Sequence, residues 1–310
     1  MNRRKTKTII RRLYHLTVPI PIQKKINFKQ RKKWYKLSQL VGHYYANHKV
    51  TKEEKKALSF LHRNRFNLNN YSLLYLSNIV KPYLKRFRNT SVFYDKTLSL
   101  PYILHEGKPL FFPHGYDDGT IRRTYAQFLS ELDAESPHCY CNNPKELNNR
   151  VLFDCGVAEG LFPLTYIDYF KQIVLFECNP DWIEALSATF MPYKEKVHIV
   201  NAYVSDIVDN KYVTIDMYVK ETNISPTYIK MDIEGYEERA IAGAKKVLTE
   251  SNNIICSICT YHTPTAETNI TNQMESMGFH SSYNPGFMFF FYENNITPPY
   301  LRRGVIRYKK

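Results

Sequence analysis

The rhythm of apolar positions changes near residue 150. From Val151 onward, short apolar runs alternate with helical patterns. The stretches 151–155, 173–178, 197–204, 212–218, 227–232 and 253–261 predict strands. Helices are predicted after the first strand to about residue 170, and over 180–190, 236–249 and 266–277. The closing run FMFFFYE predicts one more strand. Strands alternating with helices predict an α/β fold, a mostly parallel, doubly wound sheet covered on both faces. Ligands of such sheets bind beyond the carboxyl ends of the strands.

The pattern upstream is less regular. Thr51-Lys-Glu-Glu54 reads as a capping box opening a helix to about Phe66. Leu73, Leu76, Val80, Leu84 and Phe87 predict a second helix over about 71–87, with Pro82 endangering its end. Residues 92–113 predict a hairpin turning at Glu106-Gly107-Lys108, and a helix follows at about 120–132. Three parts result: a basic extension (1–50), a helical and hairpin region (51–135) and the α/β part (136–310).

Charge sharpens this division. The 310 residues carry a net charge of +14, yet residues 1–100 hold 24 Lys and Arg against three Asp and Glu. Residues 1–50 contain 14 basic residues and no acid, interleaved with Trp34, Tyr35, Tyr44 and Tyr45. Such a stretch fits a solvated extension, peripheral contact with an anionic membrane surface, or nucleic acid stacked on the aromatics. With no recognisable RNA-binding motif, nucleic acid is the weakest of the three. No segment reaches the length of a signal-peptide core or a spanning helix, so a soluble, cytoplasmic chain is expected. The six cysteines do not form a disulfide framework. Cys256 and Cys259 lie three apart on a predicted strand and point to opposite faces. Cys139 and Cys141 lack neighbours to complete a metal site.

The candidate chemistry begins where the first regular strand ends. Asp154 closes that strand, and the chain turns through Gly156 and Gly160; Glu177 closes the next strand. An acid about 20 residues after the glycine turn is placed to hold ribose hydroxyls. The dinucleotide fingerprint needs three glycines, and Glu159 would repel a pyrophosphate. D-x-G-x-x-x-G looks instead like the first motif of S-adenosylmethionine-dependent methyltransferases.

VLFDCGVAEG, LFECNPDWIEALSATF, KMDIEGYEERAIAGA and ICTYH, in that order, resemble the FkbM-type S-adenosylmethionine-dependent methyltransferases. SPH (136–138) and PPYLRRGVIR (298–307) look like flanking features of a bacterial branch. The resemblance covers about 136–310. It implies a class I methyltransferase fold, S-adenosyl-L-methionine as cofactor, and O-methylation of a hydroxyl, commonly on a sugar or surface glycan. Carried over by position, Asp154, Gly156, Glu159 and Gly160 belong to the loop around the cofactor's methionine part. Glu177 holds the ribose, and Ser205 and Asp206 meet the adenine amine. Ala158 departs from the middle glycine common in that loop.

A sugar hydroxyl needs a general base or an acidifying metal to attack a sulfonium methyl. Lys230, Asp232, Glu234 and His262 stand at the ends of two central strands. In one mechanism His262 is the base and Asp232 orients it; in the other a divalent cation is held by Asp232, Glu234 and His262. The metal-free route is preferred, because only one histidine is close in sequence. His138 and the pair Arg302-Arg303 are further candidates, the latter for an anionic substrate group. A methyltransferase for RNA or a small molecule, and a silent methyltransferase fold used for binding, are the alternatives.

Overall fold

A computed structural model of the chain describes residues 20–64, 74–293 and 296–310. It divides into two units, 1–73 and 74–310. In the first, helices Ile20–Ala46 and Lys52–Arg63 bury Val41, Tyr45, Ala57 and Leu61. The capping box is formed: the Thr51 hydroxyl accepts from Glu54 N at 3.1 Å, and Glu54 accepts from Thr51 N at 2.8 Å. Such a cap stabilises a helix by about 1 kcal/mol. Among the described residues, no helix is long and apolar enough to cross a membrane.

The second unit opens with helix Val80–Asn89, later than expected. Pro82 sits in its first turn, where the missing N–H costs nothing, and Leu76 takes a φ of 47°. Residues 71–73 of the expected helix lie outside the described residues. Strands β1 (Phe93–Tyr94), β2 (Pro101–His105) and β3 (Lys108–Phe111) form the hairpin sheet. It turns at Glu106 and Gly107, both left-handed, as a two-residue hairpin connection requires. Helix Asp118–Glu131 follows.

The main sheet is built from β4 (Val151–Cys155), β5 (Gln172–Phe176) and β6 (Val197–Val200). The chain then makes a separate pair, β7 (Tyr203–Val204) and β8 (Tyr212–Val213), before β9 (Tyr228–Met231) and β10 (Ile255–Cys259). The last strands are β11 (His280–Tyr283) and β12 (Val305–Lys309). Their order is β11-β12-β10-β9-β4-β5-β6, with β12 antiparallel to both neighbours and β10 through β6 parallel. The order reverses between β4 and β9, which opens a crevice at their carboxyl ends. Side-chain alternation splits the core: Leu152, Leu175 and Tyr228 pack on one face, and Phe153, Val174 and Ile229 on the other. Cys256 and Cys259 fall on opposite faces, and all six cysteines are free thiols.

Several expected elements differ. The strand expected over 197–204 breaks after Val200, because Tyr203–Val204 leaves the main sheet to pair with β8. Residues 215–218 are helical, in Ile215–Thr222, because the Thr214 hydroxyl accepts from Met217 N and caps a helix there. The helix after β4 is short, Leu161–Thr165. The helix expected over 236–249 is two, Glu237–Ala242 and Lys245–Glu250. The run FMFFFYE is not a strand. Phe287 to Phe290 are buried, but only Met288 makes a bridge, with Arg302, and the sheet position beside β10 belongs to β12.

Candidate active site

Tight backbone packing sets the site at the ends of β4 and β9. Gly156 has a φ of +79°, and a Cβ there would lie 1.9 Å from the Asp232 carbonyl oxygen. Only glycine lets the two strand ends approach this closely. Ala158 has a φ of 51°, in the region glycine favours, at a cost of roughly 1–2 kcal/mol. Its amide donates to Glu177 Oε2 at 2.8 Å, while Asn179 N donates to Oε1 at 2.7 Å. The Glu177 carboxylate is thus fixed by the loop before any ligand arrives.

Glu177 lines a cavity of about 380 Å³ with Gly156, Phe176, Trp182, Val204 and Ile233. Apolar walls with one fixed carboxylate suit a nucleoside, the base between the walls and the ribose hydroxyls on the acid. Ser205 and Asp206 are not in this lining; Ala202, Tyr203 and Val204 occupy the edge assigned to them. Ser205 is buried with its hydroxyl on Asp206, and Asp206 is held by Arg239 at 2.7 Å. Ser205 packs so closely on the following helices that a Cβ at Gly243 would lie 2.0 Å from its carbonyl oxygen.

Behind the glycine turn is a small cavity lined by Asp154, Glu159, Lys230, Asp232 and Glu131. Parallel register sets Asp154 opposite Lys230, whose ammonium lies 2.9 Å from Asp154 Oδ1 and donates to the Gly156 carbonyl at 2.6 Å. Lys230 therefore braces the loop, and it pairs with Asp154 rather than with Glu234 or Glu237. Burial works against its charge, but Asp154 and Asp232 outweigh this and raise its pKa. Asp154 Oδ2 is buried without a hydrogen-bond partner. A buried, unpartnered carboxylate oxygen beside a nucleoside cavity fits the ammonium group of S-adenosylmethionine. Glu159 is buried, and desolvation raises its pKa well above the usual carboxylate range. It lines this small cavity, not the nucleoside cavity.

A third cavity, about 340 Å³, lies on the other side of Asp232. It is lined by Glu131, His138, Glu234, Tyr261, His262 and Tyr292, among others. Asp232 is the hub. It accepts from the Tyr140 hydroxyl at 2.8 Å and the Tyr261 hydroxyl at 3.1 Å, and stands 3.4 Å from His262 Nε2. Burial opposes its ionisation, but His138, Lys230 and His262 outweigh it and lower the pKa to about 2.

The two histidines differ. Burial drives the pKa of His138 down to about 4, so it is neutral, with Nε2 2.9 Å from the Tyr261 hydroxyl. His262 is partly buried, which works against its charge, but Glu237, Asp232 and Glu234 overcome that and raise its pKa. Its Nδ1 sits 3.0 Å from Glu237 Oε1, leaving Nε2 toward Asp232 and, at 3.9 Å, Glu234. Glu237 also accepts from Ile233 N at 2.9 Å, so Glu237, not the exposed Glu234, caps the turn. Of the three residues expected to hold a divalent cation, Asp232 and His262 come together but with Glu237 rather than Glu234: among the described residues it is Asp232, Glu237 and His262 whose ligand atoms lie within 4.8 Å of one another. Arg302 and Arg303 bind within the protein: Arg302 forks onto Glu293 at 2.7 Å, and Arg303 stacks on Phe287.

Sequence reasoning left out four residues of this cluster. Glu237 was visible as the second acid of Glu234-Gly-Tyr-Glu237, and Tyr261 as the neighbour of His262. Glu131 and Tyr140 carry no motif; they come from the helix and loop that precede β4.

Strand order, glycine turn and cavities together define a class I methyltransferase fold. No family model matches the chain, and no curated protein does. Among solved structures it is similar to the methyltransferase FkbM from Methylobacillus flagellatus KT, at 16% identity and a TM-score of 0.41. That match covers 81% of this chain, which spans about 65% of that one. Precorrin-6y C5,15-methyltransferase from Geobacter metallireducens GS-15 is 13% identical over 54% of this chain and 86% of that one, with a TM-score of 0.38. SMU.1697c from Streptococcus mutans, a methyltransferase solved in complex with SAH, is 13% identical over 53% of this chain and 89% of that one (TM-score 0.34). Similarities this remote decide nothing about the acceptor.

Proposed function

We propose that the chain is an S-adenosylmethionine-dependent O-methyltransferase acting on a hydroxyl of a sugar, a surface glycan or its precursor. The observation that carries this reading is the meeting of two cavities at Glu234, with Asp232 lining the first and hydrogen-bonded to Tyr261 of the second. One is a nucleoside pocket with a fixed carboxylate; the other is a polar pocket holding two histidines. When bound, the cofactor supplies an electrophilic sulfonium methyl. Glu177 receives the ribose, Asp154 the amino group, and the apolar walls exclude water around the base. The acceptor oxygen enters from the histidine side and is aligned with the methyl, a positional effect that lowers the barrier. His262 Nε2 takes the hydroxyl proton. Asp232, anionic and fixed by two tyrosine hydroxyls, stabilises the imidazolium that forms. His138, the weaker base, orients Tyr261.

Calorimetry with S-adenosylhomocysteine and transfer of labelled methyl to a glycan panel test this reading. Absence of S-adenosylhomocysteine binding would sink it. Loss of turnover in EDTA, restored by Mn²⁺ or Mg²⁺, would replace the metal-free route with the cation route. The helix Ile20–Ala46 carries seven Lys and Arg and no acid, which supports placement at an anionic membrane surface.

A further inference from the structure

The cavity on the histidine side is amphipathic. Leu74, Met288 and Phe290 line part of it, and Gln127, Glu131 and His138 line another part. Its volume of about 340 Å³ is that of a small-ligand site, roughly 300–1,000 Å³. Most of its charge is spent. Glu293 is held by both terminal nitrogens of Arg302 at 2.7 Å, and burial, seconded by Asp232, raises the Glu131 pKa to about 8. Glu131 is therefore a neutral acid at neutral pH and carries an O–H. Hydrogen bonding, not charge, decides what this wall can hold.

Two groups of that wall have hydrogen-bonding capacity left over. His138 Nε2 faces the Tyr261 hydroxyl at 2.9 Å and Asp232 Oδ2 at 3.7 Å, and Tyr261 gives its own proton to Asp232 Oδ1. The single proton of the neutral His138 therefore stands on Nε2. Nδ1 is left as a lone pair, buried and without a hydrogen-bond partner. Glu131 Oε1 accepts from the Tyr75 hydroxyl and Gln127 Nε2, each at 3.4 Å, so the acid proton stands on Oε2. Oε2 lies 3.9 Å from His138 Nδ1, beyond hydrogen-bonding distance. A donor and an acceptor thus flank a gap that neither closes. A hydroxyl oxygen about 2.8 Å from each would close it, accepting from Glu131 and donating to His138. The Glu131 carboxyl, held only by long contacts, can swing to admit it. A carbonyl or ether oxygen cannot serve both groups, because it has no proton to give.

We propose that Glu131 and His138 Nδ1 together hold a second hydroxyl of the acceptor, one that is not methylated, so that the substrate is a ring bearing at least two hydroxyls. The inference rests on the methyltransferase reading and adds the group by which the acceptor is recognised. Glu131 determines specificity and takes no part in the methyl transfer itself.

The test uses the full chain, labelled S-adenosylmethionine and two acceptor sets. The sugar set holds methyl hexosides and their monodeoxy forms. The phenol set holds phenol, catechol, resorcinol and hydroquinone. In the sugar set, loss of the methylated hydroxyl ends transfer. Loss of one further hydroxyl should raise KM about tenfold with kcat kept, because a buried donor and acceptor are left unpaired. Glu131→Gln keeps a neutral donor and an acceptor oxygen, so its KM should stay within about twofold of wild type. Glu131→Leu should raise KM for the full sugar about tenfold and leave KM for the sensitive deoxy form unchanged, a split that a merely structural role would not produce. Calorimetry with S-adenosylhomocysteine reports whether each variant is folded; if Glu131→Leu is not, the deoxy forms and Glu131→Gln still decide. A sugar set in which no second hydroxyl affects KM overturns the inference. So does a Glu131→Gln KM raised about tenfold, or a Glu131→Leu KM raised equally for full and deoxy sugars. If only the phenol set reacts and one of the diols is preferred to phenol, the sugar reading falls and this inference stands. No transfer in either set counts against both.

Discussion

Replacing Glu237 separates a structural role from a catalytic one. The residue is 1% exposed and serves two close groups: it accepts from Ile233 N–H at 2.9 Å and forms an ion pair with His262, Nδ1 at 3.0 Å. Glu237→Ala leaves both unpaired, at about 1–3 kcal/mol each, so about 2–6 kcal/mol of stability is lost. Against a total of roughly 5–15 kcal/mol, that is a severe change. Glu237→Gln keeps an acceptor oxygen for both groups and should cost about 1 kcal/mol. The charge effect appears in the pH dependence. Burial lowers the His262 pKa, and Glu237 leads the groups that reverse this and raise it above 6.5. Protonated His262 therefore adds stability that is fully present below pH 6.5 and is lost as pH rises through the folded value. In Glu237→Gln this pH-dependent part shrinks, and the acid limb of kcat/KM moves to lower pH, because His262 sheds its proton more readily. Urea unfolding at several pH values gives the first quantity, and methyl-transfer rates give the second. A Glu237→Gln protein with the wild-type acid limb would refute His262 as the base positioned by Glu237. Equal destabilisation by Gln and Ala would refute the loss of both contacts.

Three further outcomes follow from the geometry. Gly156→Ala forces a Cβ to within 1.9 Å of the Asp232 carbonyl oxygen at a φ of +79°; it should lose about 2–5 kcal/mol, and a melting temperature within a degree of wild type would contradict the close approach. Glu177→Ala should weaken S-adenosylhomocysteine binding about 10- to 100-fold by calorimetry, the loss of one or two hydrogen bonds to a charged group; unchanged affinity would remove Glu177 from the ribose. The full chain should sediment with phosphatidylserine vesicles and be released as salt rises, since each basic residue near the headgroups contributes about 1 kcal/mol. Equal binding to uncharged vesicles would refute an electrostatic membrane contact.

The sequence was most legible where one local signal had one structural meaning. Gly156 and Gly160 announced a left-handed turn, Glu177 closed a strand at the right distance, and Thr51 and Glu54 formed a reciprocal cap. It was least legible where an apolar run had two outcomes of equal burial. The run Phe287–Phe290 is as buried as a strand, yet its backbone leaves the sheet, and Val305–Lys309 takes the place beside β10. Apolarity reports burial, while sheet membership depends on which backbone reaches the open edge. The site divides in the same way. Asp232 and His262 stand near strand ends, which the strand pattern locates. Glu131, His138 and Tyr140 come from the segments before β4, where no period ties them to the sheet. Glu131 and His138 line the histidine-side cavity, and Tyr140 donates to Asp232, whereas Asp232 and His262 come from the strand ends. The fold and the glycine turn beside Glu177 were therefore readable from periodicity and motif, while the second cavity depends on segments whose placement only the assembled fold reveals.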